Sequence, residues 1–408
     1  MLPLAQILKG QGYEVAGSDR SMDQGRSPDK FDWIEHHGIA LSPQDGSGVT
    51  SDQQILIASA AVEDTVPEMV RARDLGCARM TRAEALSQLF NSAGYSIAIG
   101  GTSGKSTVTA MIGWVIAAQG YDPTIMNGAV MKNFVTADNP YASAQVGRPD
   151  LFVSEVDESD GSIALYTPTI GVLLNVSLDH KSMEELRELF AGYLDSSNAS
   201  VVNFDDAEAR QLAEGKEAVT SFGLEAEAAD ISIVPGSIQQ NSFGIAAKVT
   251  EKGKEATHRL NLAMPGLHNL SNALAAIAAA KTARIPVAKA VAALNEFDGL
   301  ARRYDVIGVT ETNITIIDDF FVRELDEGDV VIMCDPVYFG GTVDRSEGTE
   351  RITAQINTNG RRAEYLAKRD ACRLRIVDIA EPEDRIVVMG ARDDTLTDFA
   401  KTLMERLN

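Results

Sequence analysis

Eight residues constrain this chain more than any others: Gly100-Gly101-Thr102-Ser103-Gly104-Lys105-Ser106-Thr107 join an apolar run, Ser96-Ile97-Ala98-Ile99, to a long stretch of helix-forming residues. A strand that passes through a glycine-rich turn straight into a helix is the local geometry that cradles phosphate. The glycines let the backbone approach the anion, the first amides of the helix point at it, and Lys105 adds a point charge. The hydroxyl of Ser106 or Thr107 is then in place to hold Mg²⁺. The bland alternative is a tight strand-helix turn with a surface lysine, and the flanking pattern favours the phosphate reading. The strict GxxxxGK[ST] spacing needs glycine at position 99, where Ile99 stands, so this is a shortened form of the loop.

Around it, short β-branched runs alternate with longer Ala/Leu-rich ones, which predicts an α/β fold throughout. Leu4 to Leu8 is predicted helical and ends at Gly12, followed by a strand over Tyr13–Gly17. A second strand over Ile55–Ala58 and a helix over Pro67–Leu75 complete a first domain, residues 1–92. The central domain, 93–297, opens with the loop strand and a helix over Lys105–Ala118. It adds strands at Leu151–Ser154, Ile170–Leu174 and Val201–Asn203, a β-rich insertion over Thr220–Leu262, and a helix over Asn269–Ala283. A third domain, 298–408, carries strands near Ile314–Ile317, Val330–Met333 and Ile386–Met389. Two places look incomplete: the first domain opens on a helix, and few residues separate Asp319 from Gly328 if a parallel crossover must fit there. We expect that segments are absent from the sequence at both points.

With 408 residues, two or three domains are expected. No run of 18 apolar residues is present, so no membrane span is expected, nor does the N-terminus resemble a secretion signal. Three scattered cysteines without a CxxC pair argue against a disulfide framework or zinc site and suit a reducing cytoplasm. A net charge of -22 disfavours nucleic acid and anionic membranes as partners, although it leaves room for a locally bound phosphate. The oligomeric state is open.

Glu155-Val156-Asp157-Glu158-Ser159-Asp160 follows an apolar strand at its carboxyl end, the edge where ligands sit in open α/β sheets. Such an acidic run is commonly a solvated loop. Beside a phosphate loop, a metal role for Glu155 becomes the better reading. A later strand ends in Asn175-Val176-Ser177-Leu178-Asp179-His180. A lone histidine is usually structural, but one just beyond a strand end here is a candidate for a metal or substrate. Glu155 and His180 together would give a second Mg²⁺ site, with imidazole an unusual ligand for that ion.

These motifs resemble those of the Mur ligases, and within them the alanine-adding branch. The loop is similar to G-T-x-G-K-[ST]-[ST], the acidic run to E-A-D-E-S-D, and Asn175 to His180 to N-x-x-x-D-H. Gly266-Leu267-His268-Asn269-Leu270-Ser271-Asn272-Ala273 resembles G-x-H-N-x-x-N-A, Phe297 to Arg303 resembles F-x-G-x-x-R-R, and Asp318-Asp319-Phe320 looks like the start of D-D-[FY]-x-H-x-P. The resemblance spans nearly the whole chain. It implies a Rossmann-like N-terminal domain for the UDP-sugar, a central P-loop ATPase-like domain and a Rossmann-like C-terminal domain that brings the amine.

It further implies ATP and Mg²⁺ as cofactors, with UDP-N-acetylmuramate and an amino acid or short peptide as substrates. Gly101, Thr102, Ser103, Gly104 and Lys105 would then hold ATP phosphates. Ser106 or Thr107 would serve the first Mg²⁺, and Glu155 with His180 the second. Asn269 or Asn272 would face adenine, Arg302 would reach phosphate and Asp319 the ribose or nearby groups. Ser18, Asp19 and Ser59 would lie on the uridine side. Three departures stand out: Ser103 replaces the branch's usual histidine, the His-x-Pro expected after Phe320 is absent, and the glycine-rich loop of the first domain is expected among the segments missing ahead of Met1. A ligase that attaches a preformed peptide would share every central motif. A P-loop kinase would explain the loop but not the paired asparagines, and a nucleotide-sugar dehydrogenase would leave Lys105 without a role. A non-catalytic module would bind ATP without amine-dependent phosphate release.

Overall fold

The computed structural model describes residues 1–59, 62–178, 181–226, 228–241, 243–303, 305–310, 315–319, 328–335, 348–358, 361–390, 393 and 395–408. They form two compact units, residues 1–20 with 29–300, and residues 21–28 with 301–408. Among the described residues no helix is long and apolar enough to cross a membrane.

The first ninety residues hold α1 (Leu2–Gly10), α2 (Arg20–Asp23), α3 (Pro28–His36), α4 (Pro67–Leu75) and α5 (Arg82–Ser92). Two parallel strand pairs accompany them, β1 (Ala16–Gly17) with β2 (Ala40–Leu41), and β3 (Ile55–Ala58) with β4 (Ala78–Thr81). Local chemistry sets these boundaries. Helix α4 stops at Gly76, whose φ of 76° is a left-handed stop signal, and α5 starts on a reciprocal cap between Thr81 and Glu84. The strand expected over Tyr13–Gly17 shrinks to Ala16–Gly17. The reason is the end of α1, where the Tyr13 amide donates back to the Leu8 carbonyl at 3.1 Å, so the capping turn uses the backbone that a strand would need.

One large sheet follows. Its strands in chain order are β5 (Tyr95–Gly100), β6 (Pro123–Met126), β7 (Ala144–Gln145), β8 (Arg148–Glu155), β9 (Ile170–Leu173), β10 (Ala199–Asn203), β11 (Val219–Phe222), β12 (Ile231–Ile233), β13 (Gln239–Asn241), β14 (Gly244–Glu251) and β15 (Thr257–Leu262). Across the sheet they run β13-β14-β12-β11-β10-β9-β5-β8-β6-β7, with β15 also on β14. From β6 to β12 every pairing is parallel; β7 and the β13–β15 group are antiparallel additions. After β5 the chain builds one side with β6 and β8, then crosses to build the other from β9 onward. The strand order therefore switches at β5, and the crevice outside the carboxyl ends of β5, β8 and β9 is the expected ligand position.

Helices cover both faces: α6 (Lys105–Ala117), α7 (Met183–Asp195), α8 (Ala207–Leu212), α9 (Leu267–Thr282) and α10 (Val287–Leu294). Strand β5 shows why two cores form. Ile97 and Ile99 point into a cluster with Met111 of α6 and Leu274 of α9, while the intervening Ala98 points into one with Phe90 and Phe190. The second cluster also takes in Leu4 and Ile7 of α1. Tyr193, fully buried, crosslinks β5 to β9 by donating to the Ala98 carbonyl at 2.7 Å and accepting from the Val172 amide at 3.1 Å.

The second unit contains β16 (Asp305–Val309), β17 (Thr315–Asp319), β18 (Val330–Met333), α11 (Thr349–Thr358), β19 (Arg362–Tyr365), α12 (Arg369–Ile379), β20 (Arg385–Met389) and α13 (Leu396–Leu407). Strand β17 lies between β16 and β20, its parallel partner, whereas β18 pairs in parallel with β19. Among the described residues, strands β17 and β18 are thus not paired with each other. Val388, Leu396, Ala400 and Leu403 form a buried cluster of this unit.

Candidate functional site

The glycine loop sits at the carboxyl end of β5 and opens α6, as the sequence predicts. Gly101 and Gly104 adopt φ of 136° and 89°, where a side chain is strained. Space forbids one too: a Cβ on Gly101 would lie 3.0 Å from Leu174 Cβ, and one on Gly104 would lie 2.7 Å from Asn272 Oδ1. Gly104 caps α6 without any side-chain hydrogen bond, so the first-turn amides are not taken by a capping group.

The loop is strapped across the sheet rather than along the chain. Asn175 Oδ1 accepts from Thr102 Oγ1 at 2.7 Å and from the Ser103 amide at 2.9 Å, while its Nδ2 donates to the Ser103 carbonyl at 3.0 Å. The Thr102 amide donates to the Asn175 carbonyl at 3.2 Å, and the Thr102 and Ser177 hydroxyls are 2.7 Å apart. Asn175→Ala removes these side-chain bonds at once. We expect a stability loss of about 1–2 kcal/mol, because the site is partly solvated, and weaker nucleotide binding by roughly tenfold from a loosened loop. Calorimetric melting together with nucleotide titration checks both; unchanged affinity in a folded variant would show that the strap does not shape the loop.

The acidic run divides its labour. Glu155 Oε2 accepts from Ser106 Oγ at 2.7 Å, and the side chain packs on Gly128, where a Cβ would come 2.4 Å from Oε1. Asn127 Nδ2 donates to the Ser106 carbonyl at 2.9 Å, fixing this corner. Burial opposes ionisation of Asp157, but hydrogen bonds from the Ser159 hydroxyl and amide and the charge of Lys105 outweigh it, holding its carboxyl below the usual range. Glu158, 3% exposed, pairs with Lys105 Nζ at 2.9 Å through Oε2 and at 3.2 Å through Oε1. Lys105 Nζ also donates to the Gly101 carbonyl at 2.7 Å.

Among the sequence candidates, Lys105, Ser106 and Glu155 therefore converge beside the loop, and Ser103 is exposed at its tip. Thr107 is buried in α6, which leaves Ser106 as the hydroxyl at the site. Asn272 lies against Gly104, whereas Asn269 is buried and donates to the Pro265 carbonyl at 2.7 Å, tying the turn before α9. Ser18 and Ser59 stand just beyond the carboxyl ends of β1 and β3. The Ser18 hydroxyl donates to Glu68 at 3.0 Å, and Asp19 is exposed. Arg302 belongs to the second unit, at φ 60° and donating to the Gly390 carbonyl, and Asp319 ends β17 there. His180 lies outside the described residues. Among those that are described, no cluster of three His, Cys, Asp or Glu side chains is assembled for a metal. The Ser106–Glu155 pair nevertheless supplies a hydroxyl and a carboxylate oxygen, hard ligands of the kind Mg²⁺ takes.

Residues 1–93 match the Mur ligase family catalytic domain, and residues 99–280 match the Mur ligase middle domain. A UDP-N-acetylmuramate–L-alanine ligase from Clostridium acetobutylicum is 31% identical over 328 residues, spanning 78% of this chain and 68% of that protein. The chain belongs to the Mur ligase family.

A protein of the same name from a Sulfurihydrogenibium species aligns at 26% identity over 454 positions, 99% of this Mur ligase and 95% of the relative. Those positions outnumber the 408 residues present here, so the relative carries stretches without a counterpart in this chain. The crystal structure of a UDP-N-acetylmuramate–alanine ligase from Thermotoga maritima superimposes with a TM-score of 0.78 at 22% identity, covering 100% of this Mur ligase and 96% of that chain. The fold is thus the α/β architecture of a multi-domain Mur ligase. Sequence reasoning singled out neither Glu158 nor Asn127, and saw Asn175 only as the first letter of a motif. The signal for Glu158 was its spacing, three residues after Glu155 at a strand end.

Proposed function

We propose that this Mur ligase joins L-alanine, or a similar amino acid, to the carboxylate of UDP-N-acetylmuramate with cleavage of ATP to ADP and phosphate, a step of peptidoglycan precursor synthesis. The observation that carries the reading is the convergence of Lys105, Ser106 and Glu155 on the phosphate loop at the point where the strand order switches. The names of the relatives support the substrates.

In this reading the sugar carboxylate attacks the γ-phosphorus of ATP, and ADP leaves. Two anions meet in that step, so the main task is to offset charge and hold geometry. Lys105 and the amides of Gly101, Thr102, Ser103 and Gly104 do so at the phosphates. Ser106 or Thr107 would hold the first Mg²⁺, and Glu155 with His180 the second; these ions would supply charge neutralisation on the phosphoryl oxygens. Asn272 is better placed than Asn269 to meet the nucleotide, since Asn269 is committed to Pro265. Arg302, for phosphate, and Asp319, for the ribose or nearby groups, remain the candidates in the third domain, residues 298–408. Ser18, Asp19 and Ser59 take the uridine side in the first, residues 1–92. The acyl phosphate is then attacked by the amine, and the tetrahedral intermediate expels inorganic phosphate.

Phosphate release, followed with UDP-N-acetylmuramate and L-Ala, Gly, L-Ser or a short peptide in turn, tests both reaction and acceptor. With oxygen-18 in the sugar carboxylate, the label is expected in inorganic phosphate, because the leaving phosphate keeps a carboxylate oxygen. Formation of AMP and pyrophosphate would replace the acyl phosphate by an adenylate and overturn the proposal. Turnover with a tripeptide but not with single amino acids would move the protein to the peptide-attaching branch.

A further inference from the structure

Lys105 Nζ has two partners: the carboxylate of Glu158, whose oxygens lie at 2.9 and 3.2 Å, and the Gly101 carbonyl at 2.7 Å. A phosphate entering the loop therefore meets an ammonium already paired with a carboxylate and competes for it. Glu158 is a demanding partner. It is 3% exposed, so little water stands ready to solvate its charge once Lys105 turns away. It also meets the lysine with both oxygens, as a phosphate would, from the run that follows the neighbouring strand β8. A carboxylate in that place and a phosphate on the loop compete for one cation and repel each other.

We infer that Glu158 is a stand-in anion: it competes with phosphate for Lys105 and holds nucleotide affinity down. The inference rests on the nucleotide reading of the loop and adds to it a residue that sets affinity against release. Two opposite roles predict opposite signs. Were Glu158 a brace that orients Lys105 for phosphate, its neutral isostere would bind nucleotide more weakly. As a competitor, its loss strengthens binding. It also slows the departure of ADP, because the charge that reclaims Lys105 after turnover is gone.

The test is equilibrium titration of the full-length protein with ADP in the presence of a chelator, so that no divalent cation bridges the anions. Glu158→Gln is expected to bind ADP about tenfold more tightly than the native protein, a modest share of the repulsion between unit charges a few ångströms apart near a protein surface. In steady state its KM for ATP and its kcat should fall together. Glu158→Asp keeps the charge but retracts it by one methylene, which loosens the two-oxygen grip, so its affinity should lie between the two. Should Glu158→Gln fail to fold, the aspartate variant carries the test, and equal or weaker binding there overturns the inference. Equal or weaker ADP binding by a folded Glu158→Gln, with native binding intact and lost in Lys105→Ala, sinks this inference alone. Absence of ADP binding by the native protein sinks the nucleotide reading and this inference with it.

Discussion

Lys105→Ala is expected to lower kcat/KM for ATP-dependent phosphate release by at least about a thousandfold, the scale set by losing a positioned cation from phosphoryl transfer. Its helix survives the change, since alanine is the best helix former and α6 is otherwise anchored by buried residues from Val108 to Ile116. Stability is another matter. The substitution strands Glu158, 3% exposed, with its charge uncompensated, and breaking a buried pair from one side costs about 3 kcal/mol. Lys105→Ala should therefore melt lower than the native protein while remaining folded. The double variant Lys105→Ala/Glu158→Gln removes the stranded charge and should recover most of the melting temperature without recovering turnover. Recovery of turnover in either variant would remove Lys105 from the reaction.

Glu155→Gln is the second large loss. The carboxamide keeps the shape that fits over Gly128 but gives up the negative charge that a hard cation requires. We expect kcat/KM to fall about a hundredfold at fixed Mg²⁺, with part of the loss restored as Mg²⁺ is raised. His180→Ala should likewise raise the Mg²⁺ requirement. If the two residues serve one ion, their combined loss is smaller than the product of the single losses, because residues acting as a unit are not additive. Mg²⁺ titrations of the two single variants and the double variant decide it: losses that multiply fully assign the residues to separate tasks.

Much of this site was legible because its parts are local. The loop, its glycines and its lysine lie within eight consecutive residues, and the strand before them and helix after them carry strong, regular patterns. The strand Ile55–Ala58 and the helix Pro67–Leu75 fall where they were expected. What remained hidden acts over distance. Asn175 reaches the Ser103 amide across 72 residues of chain, and Glu158 reaches Lys105 across 53. Neither spacing carries a local rule. The acidic run was read as one cluster because four carboxylates in six residues look alike in sequence. In the fold Glu155 turns to Ser106, Glu158 to Lys105, Asp157 to Ser159 and Asp160 to the Ser162 amide, so each is satisfied separately. The lost strand at Tyr13 has a similar origin, since a capping turn and a strand compete for the same backbone and only the closed turn reveals which one wins.

The strap from Asn175 has a kinetic meaning. A phosphate loop held by side-chain and backbone bonds from a neighbouring strand has its shape before any nucleotide arrives, so little conformational entropy is left to lose on binding. On the proposed reading, association then needs no folding of the loop and proceeds at a rate set by diffusion and by the field of an acidic protein. The ammonium of Lys105 then changes partners on the timescale of a side-chain rotation, so it bears on how long a nucleotide stays rather than on how fast one arrives.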